Sequence, residues 1–251
     1  MNIQEIKKEF AAADISFLPE LIARYEGDSR KGVAQAVEGA RQRMNKYKAE
    51  LARLEQMHQY ENQYKEYEGI CGIDEVGRGP YAGPVVAAAV ILPKDCNILY
   101  VNDSKKLSEK KREELYEEIM EKALSVGIGM ASPQVIDEIN ILNATYKAMQ
   151  QAVRNGSIIP DILLNDAVTI PDMPMKQVPI IKGDAKSISI ACASIIAKVT
   201  RDRMMVEYDK TYPEYGFASH KGYGSKQHEE AIQKYGITPI HRKTFVKKFL
   251  H

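Results

Sequence analysis

The chain has 251 residues, 44% of them hydrophobic, which is enough for one sizeable core and leaves room for a small additional domain. Lys and Arg number 35 and Asp and Glu number 34, so the net charge gives no sign of a nucleic-acid partner, which would need a local basic surface. The longest apolar run, residues 85–92, is too short to span a bilayer, and the charged start lacks the apolar core of a signal peptide. Three widely spaced cysteines without a CxxC motif predict reduced thiols, so we expect a cytoplasmic protein without a membrane segment.

Residues 1–68 are polar, charged and typical of helices, and we interpret them as a helical N-terminal extension. Short helices are predicted at residues 3–12 and 18–25. A long helix follows, because apolar residues recur in alternating steps of four and three, and Asp28 or Ser29 can cap its start. This apolar stripe should be buried within the same chain, and it consists of Val33, Val37, Ala40, Met44, Tyr47, Leu51 and Leu54.

From residue 69 onward, predicted strands alternate with predicted helices. The strands are predicted at residues 69–76, 85–92, 126–130, 161–165 and 178–181. The helices are predicted at residues 108–124, 132–154, 188–208 and 226–235, with a basic helical tail after them. In the first of these helices, Leu115, Ile119 and Leu124 should face inward. This mixture predicts an α/β domain of about five strands over residues 69–251.

The segment from Gly72 to Pro84 places two adjacent carboxylates, Asp74 and Glu75, in an apolar strand. A buried carboxylate is costly unless it is paired or binds a metal. Adjacent strand residues point to opposite faces, so the two need a strand end or a bulge to converge, and otherwise one of them simply faces solvent. The glycines that follow formally fit a dinucleotide-binding fingerprint, but a strand follows them instead of the required helix. We therefore interpret them as a loop whose backbone can approach a ligand closely.

Two more carboxylates stand in similar settings. Asp166 ends an apolar strand, and Asp184 follows the next strand, just before a helix. Taken alone, Asp166 could be a turn residue and Asp184 a helix residue stabilised by the helix dipole. Because open sheets gather ligands at the carboxyl ends of their parallel strands, three such sites together indicate a shared centre. Oxygen ligands of this kind select Mg²⁺ or Mn²⁺ rather than zinc.

Six sequence blocks lie in order between Gly69 and the C-terminus: GIDEVGRGPYAGPVVAAAVIL, NDSKKLS, NILNAT, KGDAKSISIACASIIAKVTRDR, YGFASHKGYGS and HRKTF. Together they closely resemble the ribonuclease HII family. The resemblance implies a ribonuclease H-like α/β fold, with a mixed sheet of about five strands flanked by helices and, here, a helical N-terminal extension. Three residues depart from the family's usual pattern without removing a ligand: Tyr81, Ala167 and Cys192.

The resemblance also implies the roles of individual residues. Four positions match the family's catalytic carboxylates, which bind two divalent cations, Mg²⁺ or Mn²⁺: Asp74, Glu75, Asp166 and Asp184. The loop Gly77, Arg78 and Gly79 matches the one that reads the ribose 2′-hydroxyl, and Tyr223 matches the tyrosine that senses the RNA–DNA junction. Basic residues near the motifs are expected to contact the substrate: Lys105, Lys106, Lys182, Lys221 and Arg242.

The implied activity is hydrolysis on the 5′ side of ribonucleotides, leaving 3′-hydroxyl and 5′-phosphate ends. The expected substrates are RNA–DNA hybrids and duplex DNA that contains ribonucleotides, including single ones, and we expect the enzyme to be a monomer. Two alternatives remain open. One is a ribonuclease HIII-type enzyme that cuts only RNA runs, and the other is a hybrid-binding module without catalysis. The Gly-Arg-Gly loop and the four carboxylates favour the ribonuclease HII interpretation.

Two further expectations concern residues outside the carboxylate motifs. The exposed face of the long N-terminal helix should extend the contact with a duplex, through Arg41, Arg43, Lys46, Lys48 and Arg53. The histidines His58 and His228 are expected on solvated helix faces. Zinc binding by His220 and His241 is not expected, because no cysteine ligands support it.

Overall fold

The computed structural model describes residues 1–250, which form two compact units. The smaller unit contains residues 1–56, and the larger one begins at residue 57. Among the described residues, no helix combines the length and the apolar character needed to cross a membrane. The cysteines Cys71, Cys96 and Cys192 are all buried and free.

Helices build the smaller unit. They are α1 (Ile3–Ala12), α2 (Leu18–Tyr25) and most of α3 (Lys31–Met57), and the predicted bounds of the first two are confirmed. α1 begins with a capping box, in which the Glu5 N–H donates to Asn2 Oδ1 at 2.9 Å and the Asn2 N–H donates to Glu5 Oε2 at 2.8 Å. Leu51 is exposed, so the apolar stripe of α3 is not buried along its whole length. The small core consists of Ile6, Phe10, Leu18, Leu21, Ile22, Val33, Val37 and Ala40.

Arginines of α3 are occupied by partners within the smaller unit. The Arg43 guanidinium donates to the carbonyl oxygens of Phe10 at 2.8 Å and Ala13 at 3.1 Å. Arg41 pairs with Glu26, and Arg53 pairs with Glu50 at 2.7 Å. Arg43 is thus used within the smaller unit, whereas contact of the exposed Arg41, Lys46 and Lys48 with a duplex stays a prediction.

A mixed five-stranded sheet forms the centre of the larger unit within the described residues, in the order β3-β2-β1-β4-β5. The strands are β1 (Ile70–Val76), β2 (Val85–Ile91), β3 (Ser125–Ala131), β4 (Ile162–Asp166) and β5 (Lys176–Ile180). β2 is buried along its whole length, as its apolar β-branched and alanine sequence predicts. β1, β4 and β5 run parallel to one another, whereas β2 is antiparallel to both of its neighbours. The carboxyl ends of β1, β4 and β5 therefore meet at one edge.

Six further α-helices belong to the larger unit within the described residues. They are α4 (Gln59–Gln63), α5 (Glu109–Lys122), α6 (Pro133–Asn155), α7 (Ile188–Thr211), α8 (Phe217–His220) and α9 (Lys226–Tyr235). α6 packs on β2 and β3, and α7 packs on β1 and β2. α6 is interrupted at Asn140, whose φ is 66°, and the Asn140 side chain accepts from the N–H of Leu142 at 3.0 Å and Asn143 at 3.1 Å, so the helix restarts there.

Close contact between β1 and α7 fixes the position of the strand that carries Asp74. A Cβ placed on Gly72 would lie 2.1 Å from the Ser189 carbonyl carbon, so only glycine allows this approach. The α7 residues nearest to Gly72 are Ser189 and Ile190. This helix is buried from Ile188 to Ala197 and packs on β1 and β2.

Three predictions about element ends were wrong. Leu124 follows the last turn of α5 instead of lying inside it, and its side chain is 52% exposed. β5 ends at Ile180, and Ile181 beyond it is 73% exposed. In place of a helical tail, the described residues after α9 contain a short 3₁₀ turn at Lys247–Phe249. α5 ends because Ala123 leaves the helical conformation, with a ψ of 140°, and Ile181 lies beyond the last strand pair of β5.

Candidate active site

The four predicted carboxylates lie at the edge where the parallel strands end. Asp74 is in β1 and Asp166 is the last residue of β4, and the pairing of Ile73 with Asn165 puts them at the same level on neighbouring strands. Asp184 lies in a 3₁₀ turn, Gly183–Ala185, which follows β5. The Asp166 Oδ1 accepts from the Gly183 N–H at 2.8 Å and so ties the turn to β4. The sheet therefore brings together carboxylates that lie far apart in the sequence.

Burial and mutual repulsion set the charge state of these carboxylates. Asp74 is only 6% exposed, and burial, with Glu75 and Asp166 nearby, raises its pKa well above the ordinary value, although a hydrogen bond from Ser194 acts in the opposite direction. Burial also raises the pKa of Glu75, against the opposing effect of Arg78. For Asp184, burial raises the pKa first, followed by the charges of Asp103 and Asp166. The edge thus collects carboxylates whose ionised forms the basic side chains nearby stabilise only in part.

This donor set fits divalent cations. It supplies only carboxylate oxygens, which Mg²⁺ and Mn²⁺ prefer, and the raised pKa values of Asp74, Glu75 and Asp184 show where an added positive charge would be favourable. Across residues 1–250, no three His, Cys, Asp or Glu side chains already stand in a metal-binding geometry. The carboxylates share one edge of the sheet and are the residues that would hold the ions.

Glu61, which the sequence analysis missed, holds the start of α7 beside the Asp184 turn. Its Oε1 accepts from the hydroxyls of Ser187 at 2.6 Å and Ser189 at 2.7 Å, and from the Ser189 N–H at 3.1 Å. A carboxylate at a helix N-terminus is favourable because the first N–H groups lack partners within the helix. No local motif could reveal this contact, since 126 residues separate Glu61 from Ser187.

The loop of Gly77, Arg78 and Gly79 follows β1 directly. Gly77 has a φ of 89°, and a Cβ there would lie 2.3 Å from Arg201 Nε, so this glycine is required by the fold. Gly79 is exposed, and a Cβ there would meet no atom within 4 Å, so the fold does not explain it. Arg78 is exposed, and its Nη1 lies 3.4 Å from Glu75 Oε1. This contact joins the loop to the carboxylate edge.

Arg242 supports this loop from inside the protein. Its guanidinium donates to the carbonyl oxygens of Gly77 at 2.5 Å, Arg78 at 2.9 Å and Gly83 at 2.9 Å, and its side chain is 0% exposed. This placement corrects the expectation that Arg242 contacts the substrate, because its donors are already used by backbone carbonyls. Arg242 instead fixes the shape of the loop.

Tyr223 is 43% exposed and lies in a loop that a second buried arginine supports. Arg201 donates to the carbonyl oxygens of Lys221 at 2.8 Å, Ala82 at 3.0 Å and Pro84 at 2.9 Å, and its guanidinium carbon is 6.0 Å from the centroid of the Tyr223 ring. The sequence predicts that Lys221 contacts the substrate. The Lys221 ammonium instead donates to the Ala218 carbonyl oxygen and is turned toward its own loop.

The other predicted lysines are exposed near the carboxylates. Partial burial disfavours the charged form of Lys105, yet the carboxylates of Asp103, Asp74, Asp184 and Asp166 outweigh it and raise its pKa. Lys106 is exposed, and its charge acts on Asp184. Lys182 is exposed with a left-handed φ of 58°, just before the Asp184 turn. These three lysines can meet phosphates that approach the edge.

The histidines are buried, contrary to the expectation of solvated faces for His58 and His228. His228 pairs with His241, with 3.0 Å between their Nε2 atoms, and it stacks on His220 with 4.6 Å between ring centroids. Burial lowers the pKa of both His228 and His241 to about 4. Both rings are therefore neutral near pH 7, and their two Nε2 atoms share one proton.

Known proteins resemble this chain along its whole length. The model of the family Ribonuclease HII matches residues 71–248, and that of the Ribonuclease HII N-terminal domain matches residues 2–65. Ribonuclease HII of Lachnoclostridium phytofermentans is 59% identical over 247 residues, covering 98% of this chain and 97% of that protein. Ribonuclease HII of Clostridioides difficile is 53% identical over 251 residues, covering 99% and 98% of the two chains.

A solved structure supports the same assignment. The crystal structure of ribonuclease H2 from Pyrococcus horikoshii OT3 superposes with a TM-score of 0.61 at 30% identity, covering 72% of this chain and 96% of that one. The fold predicted from the sequence is thus confirmed, and the N-terminal extension also matches a domain of the same family. This chain belongs to the ribonuclease HII family and is a ribonuclease H.

Proposed function

We propose that this ribonuclease H is a metal-dependent endonuclease that cuts on the 5′ side of ribonucleotides, both in RNA–DNA hybrids and at single ribonucleotides within duplex DNA. The products would carry 3′-hydroxyl and 5′-phosphate ends. One observation carries the proposal: the four carboxylates share a sheet edge, and the Arg78–Glu75 contact at 3.4 Å places the Gly77–Gly79 loop beside them. A group that distinguishes ribose from deoxyribose would then lie next to the group that performs hydrolysis.

Asp74, Glu75, Asp166 and Asp184 would hold two divalent cations, Mg²⁺ or Mn²⁺. When bound, such ions activate water and stabilise the leaving oxygen of a phosphodiester. The carboxylates themselves need not form a covalent bond with the substrate. Their part is to bind the cations and to keep their positions, which the Asp166–Gly183 hydrogen bond at 2.8 Å and the Glu61 contacts with α7 support.

Recognition of the ribose would depend on backbone rather than on side chains. Gly79 leaves open space above the loop, so its backbone groups can reach the 2′-hydroxyl, which is the group that tells RNA from DNA. The half-exposed Tyr223 ring can pack on the neighbouring sugar. Lys105, Lys106 and Lys182 would meet the phosphates that flank the cut.

The cytoplasm is the compartment that we propose for this enzyme. Its three cysteines are free, as expected in a reducing compartment. None of them is needed in the proposed chemistry, since no cysteine is among the groups at the carboxylate edge.

The test uses two labelled duplexes, one DNA duplex with a single ribonucleotide and one RNA–DNA hybrid, each incubated with Mn²⁺, with Mg²⁺ or with EDTA. We expect cleavage of both duplexes with either metal and of neither with EDTA. End analysis should show 3′-hydroxyl and 5′-phosphate termini. Cleavage of the hybrid alone would contradict the proposed substrate range, and cleavage in EDTA would contradict the metal dependence.

A pair of glycine variants tests the recognition loop. Gly79→Ala should leave the melting temperature and Mn²⁺ binding unchanged, because the added methyl group meets no protein atom, yet it should abolish cleavage by blocking the ribose. Gly77→Ala is the matched structural control, since its methyl group would collide with Arg201 and should lower the melting temperature. A Gly79→Ala enzyme that cuts at the wild-type rate would contradict close backbone approach to the substrate.

A further inference from the structure

His241 and Arg242, two buried residues that are adjacent in sequence, connect two recognition loops, namely the Gly77–Gly79 loop and the loop that carries Tyr223. Arg242 donates to the carbonyl oxygens of Gly77 and Arg78, and its neighbour His241 contacts His228 with 3.0 Å between their Nε2 atoms. His228 Nδ1 in turn lies 2.9 Å from the Tyr223 carbonyl oxygen. The Gly77–Gly79 loop and Tyr223 are therefore connected through buried hydrogen bonds of Arg242, His241 and His228, with the backbone joining His241 to Arg242.

The partners fix the protons of this chain. The Thr238 N–H donates to His241 Nδ1 at 2.9 Å, so that nitrogen carries no proton and the neutral ring has its proton on Nε2. His241 Nε2–H can then donate to His228 Nε2 at 3.0 Å. His228 must carry its own proton on Nδ1, and this N–H donates to the Tyr223 carbonyl at 2.9 Å. With both rings neutral, this one arrangement satisfies every ring nitrogen, and we assign it on that basis.

The Tyr223 carbonyl oxygen also accepts from the Ser225 N–H at 2.9 Å, and His228 adds a side-chain donor to this backbone contact. His220 stacks on His228, but its ring nitrogens lie 2.7 Å from the Tyr215 carbonyl oxygen and 3.2 Å from the Gly222 nitrogen. Tyr81 and Phe217 contact the His228 ring through their faces or edges and offer the Tyr223 carbonyl no donor. Among these rings, His228 is the one that donates to the tyrosine's own backbone.

We propose that His228, held by His241, is a positioning residue that sets Tyr223 relative to the Gly77–Gly79 loop and thereby sets the preference between single ribonucleotides and RNA runs. This inference rests on the proposed role of Tyr223 in junction recognition. His228 acts without touching the substrate, because its side chain is completely buried. Loss of its Nδ1–H should move the tyrosine and leave the carboxylate edge as it is.

A pair of substitutions of similar polarity separates the two ring nitrogens of His228. His228→Asn keeps an amide N–H near the position of Nδ1, so it can still donate to Tyr223 but loses His241. His228→Gln places its amide near the position of Nε2, so it keeps His241 but loses the Tyr223 contact. His228→Phe retains the ring and removes both contacts. His58→Gln serves as the matched control, because it replaces another buried histidine outside this chain of contacts.

The measurement is the ratio of kcat/KM on the single-ribonucleotide duplex to kcat/KM on the hybrid, with Tyr223→Ala as the reference and melting temperatures to establish folding. We expect Tyr223→Ala to lower the ratio by at least about five-fold, as loss of a stacking contact predicts. His228→Gln and His228→Phe should lower it in the same direction, with hybrid cleavage largely kept. His228→Asn and His58→Gln should stay close to the wild-type ratio.

Other outcomes are distinguishable. If Tyr223→Ala lowers the ratio and folded His228→Gln does not, His228 is only a packing residue and the inference is wrong. Equal losses for His228→Asn and His228→Gln would likewise contradict a role for the Nδ1–H. If the wild-type enzyme cuts neither duplex, or if Tyr223→Ala leaves the ratio unchanged, the proposed function or the proposed role of Tyr223 fails instead.

Discussion

The carboxylate edge and the recognition loops contain buried polar groups that are compensated in opposite ways. At the edge, burial and neighbouring carboxylates raise the pKa values of Asp74, Glu75 and Asp184, although Arg78 and Lys105 act in the opposite direction, so the ionised carboxylates are only partly compensated. Beneath the loops, the buried guanidiniums of Arg201 and Arg242 bind backbone carbonyls at 2.5 to 3.0 Å. Buried polar groups are normally satisfied in this second way.

This difference indicates what each region does. A region whose carboxylates are only partly compensated by the protein is suited to bind a countercharge from outside, here divalent cations. A region in which every guanidinium nitrogen binds a backbone carbonyl is suited to hold a fixed shape, here the backbone that would face the ribose. Substitutions should therefore have opposite consequences for stability in the two regions.

The largest expected effect is loss of cleavage on Asp74→Asn. The substitution removes a proposed metal ligand with little change in shape, and we expect the rate to fall by about a thousand-fold or more, which is about 4 kcal/mol in the activation barrier. Binding of the duplex in EDTA should persist, measured by fluorescence anisotropy. Near wild-type turnover at saturating Mg²⁺ would show that Asp74 is not a ligand.

The same variant should not lose stability. The pKa of Asp74 is higher in the folded protein than in the unfolded chain. At pH values above the ordinary carboxyl pKa, this difference lowers the unfolding free energy. A neutral asparagine removes this cost. We therefore expect an unfolding free energy at pH 7, without metal, that equals or exceeds that of the wild type.

Arg242→Met should have the next largest effect. It leaves the carbonyl oxygens of Gly77, Arg78 and Gly83 without their donors in a buried setting, and we expect a loss of about 3 kcal/mol or more in unfolding free energy. Arg203→Met is the matched control, because Arg203 is exposed and pairs with Glu113 and Glu117 at the surface, where ion pairs contribute about 1 kcal/mol at most. Equal losses in urea denaturation would contradict the supporting role of Arg242.

Acid should destabilise the region around His228 and His241. Both histidines have pKa values of about 4 in the folded protein, below the ordinary value of 6.5. The contribution of their neutral forms to the unfolding free energy is therefore complete above pH 6.5 and is lost as the pH falls from 6.5 toward 4. Each proton that only the unfolded chain binds costs about 1.4 kcal/mol per pH unit. His220 and Glu229 also act on His228, while Tyr81 and Tyr215 pack against its ring.

The measurement for this prediction is the unfolding free energy at several pH values between 4 and 7.5. The raised carboxylates act in the opposite direction, so the wild type is best compared with His228→Asn, which lacks one titrating ring. The unfolding free energy of the wild type should rise with pH more steeply than that of the variant, and the difference in slope should correspond to about one proton. Parallel curves would contradict the neutral, buried state of His228.

The smallest effect is expected for Glu61→Gln. The amide keeps the shape of the contact with Ser187 and Ser189 but loses the charge at the helix N-terminus, so we expect a loss of about 1 kcal/mol in stability and a fall in kcat of a few-fold with KM unchanged. Glu66→Gln, an exposed neighbour, is the matched control. Equal behaviour of the two variants would show that Glu61 does not hold the Asp184 turn.

The sequence predicts the sheet and the carboxylates well for a physical reason. Asp74 and Glu75 lie in the last three residues of β1, Asp166 ends β4 and Asp184 follows β5. Parallel strands bring such positions to one edge without any knowledge of side-chain packing. The sequence around Asp74 also shows locally that an acidic residue stands within an apolar strand. Local pattern and global topology therefore agree at these positions.

The supporting residues could not be predicted in the same way. His228 lies in the first turn of a mostly polar helix, and its burial depends on contacts with His241 beyond the end of that helix. Arg242 has the sequence context of a phosphate-binding residue, and only the fold turns it toward the carbonyls of Gly77 and Arg78. Glu61 meets Ser187 across 126 residues of sequence. Contacts of this kind arise from packing and leave no periodic pattern in the sequence.

The difference between the two regions is tested most directly by the effect of Mn²⁺ on unfolding. Ligands that bind only the folded state raise its stability with their concentration. We predict that millimolar Mn²⁺ raises the unfolding free energy of the wild type, and raises that of Asp74→Asn much less. Arg203→Met changes an exposed residue that pairs with Glu113 and Glu117 and not with the carboxylate edge. This variant should respond to Mn²⁺ as the wild type does. If Mn²⁺ stabilised the wild type and Asp74→Asn equally, or stabilised neither, the result would contradict the proposal that the carboxylate edge binds divalent cations.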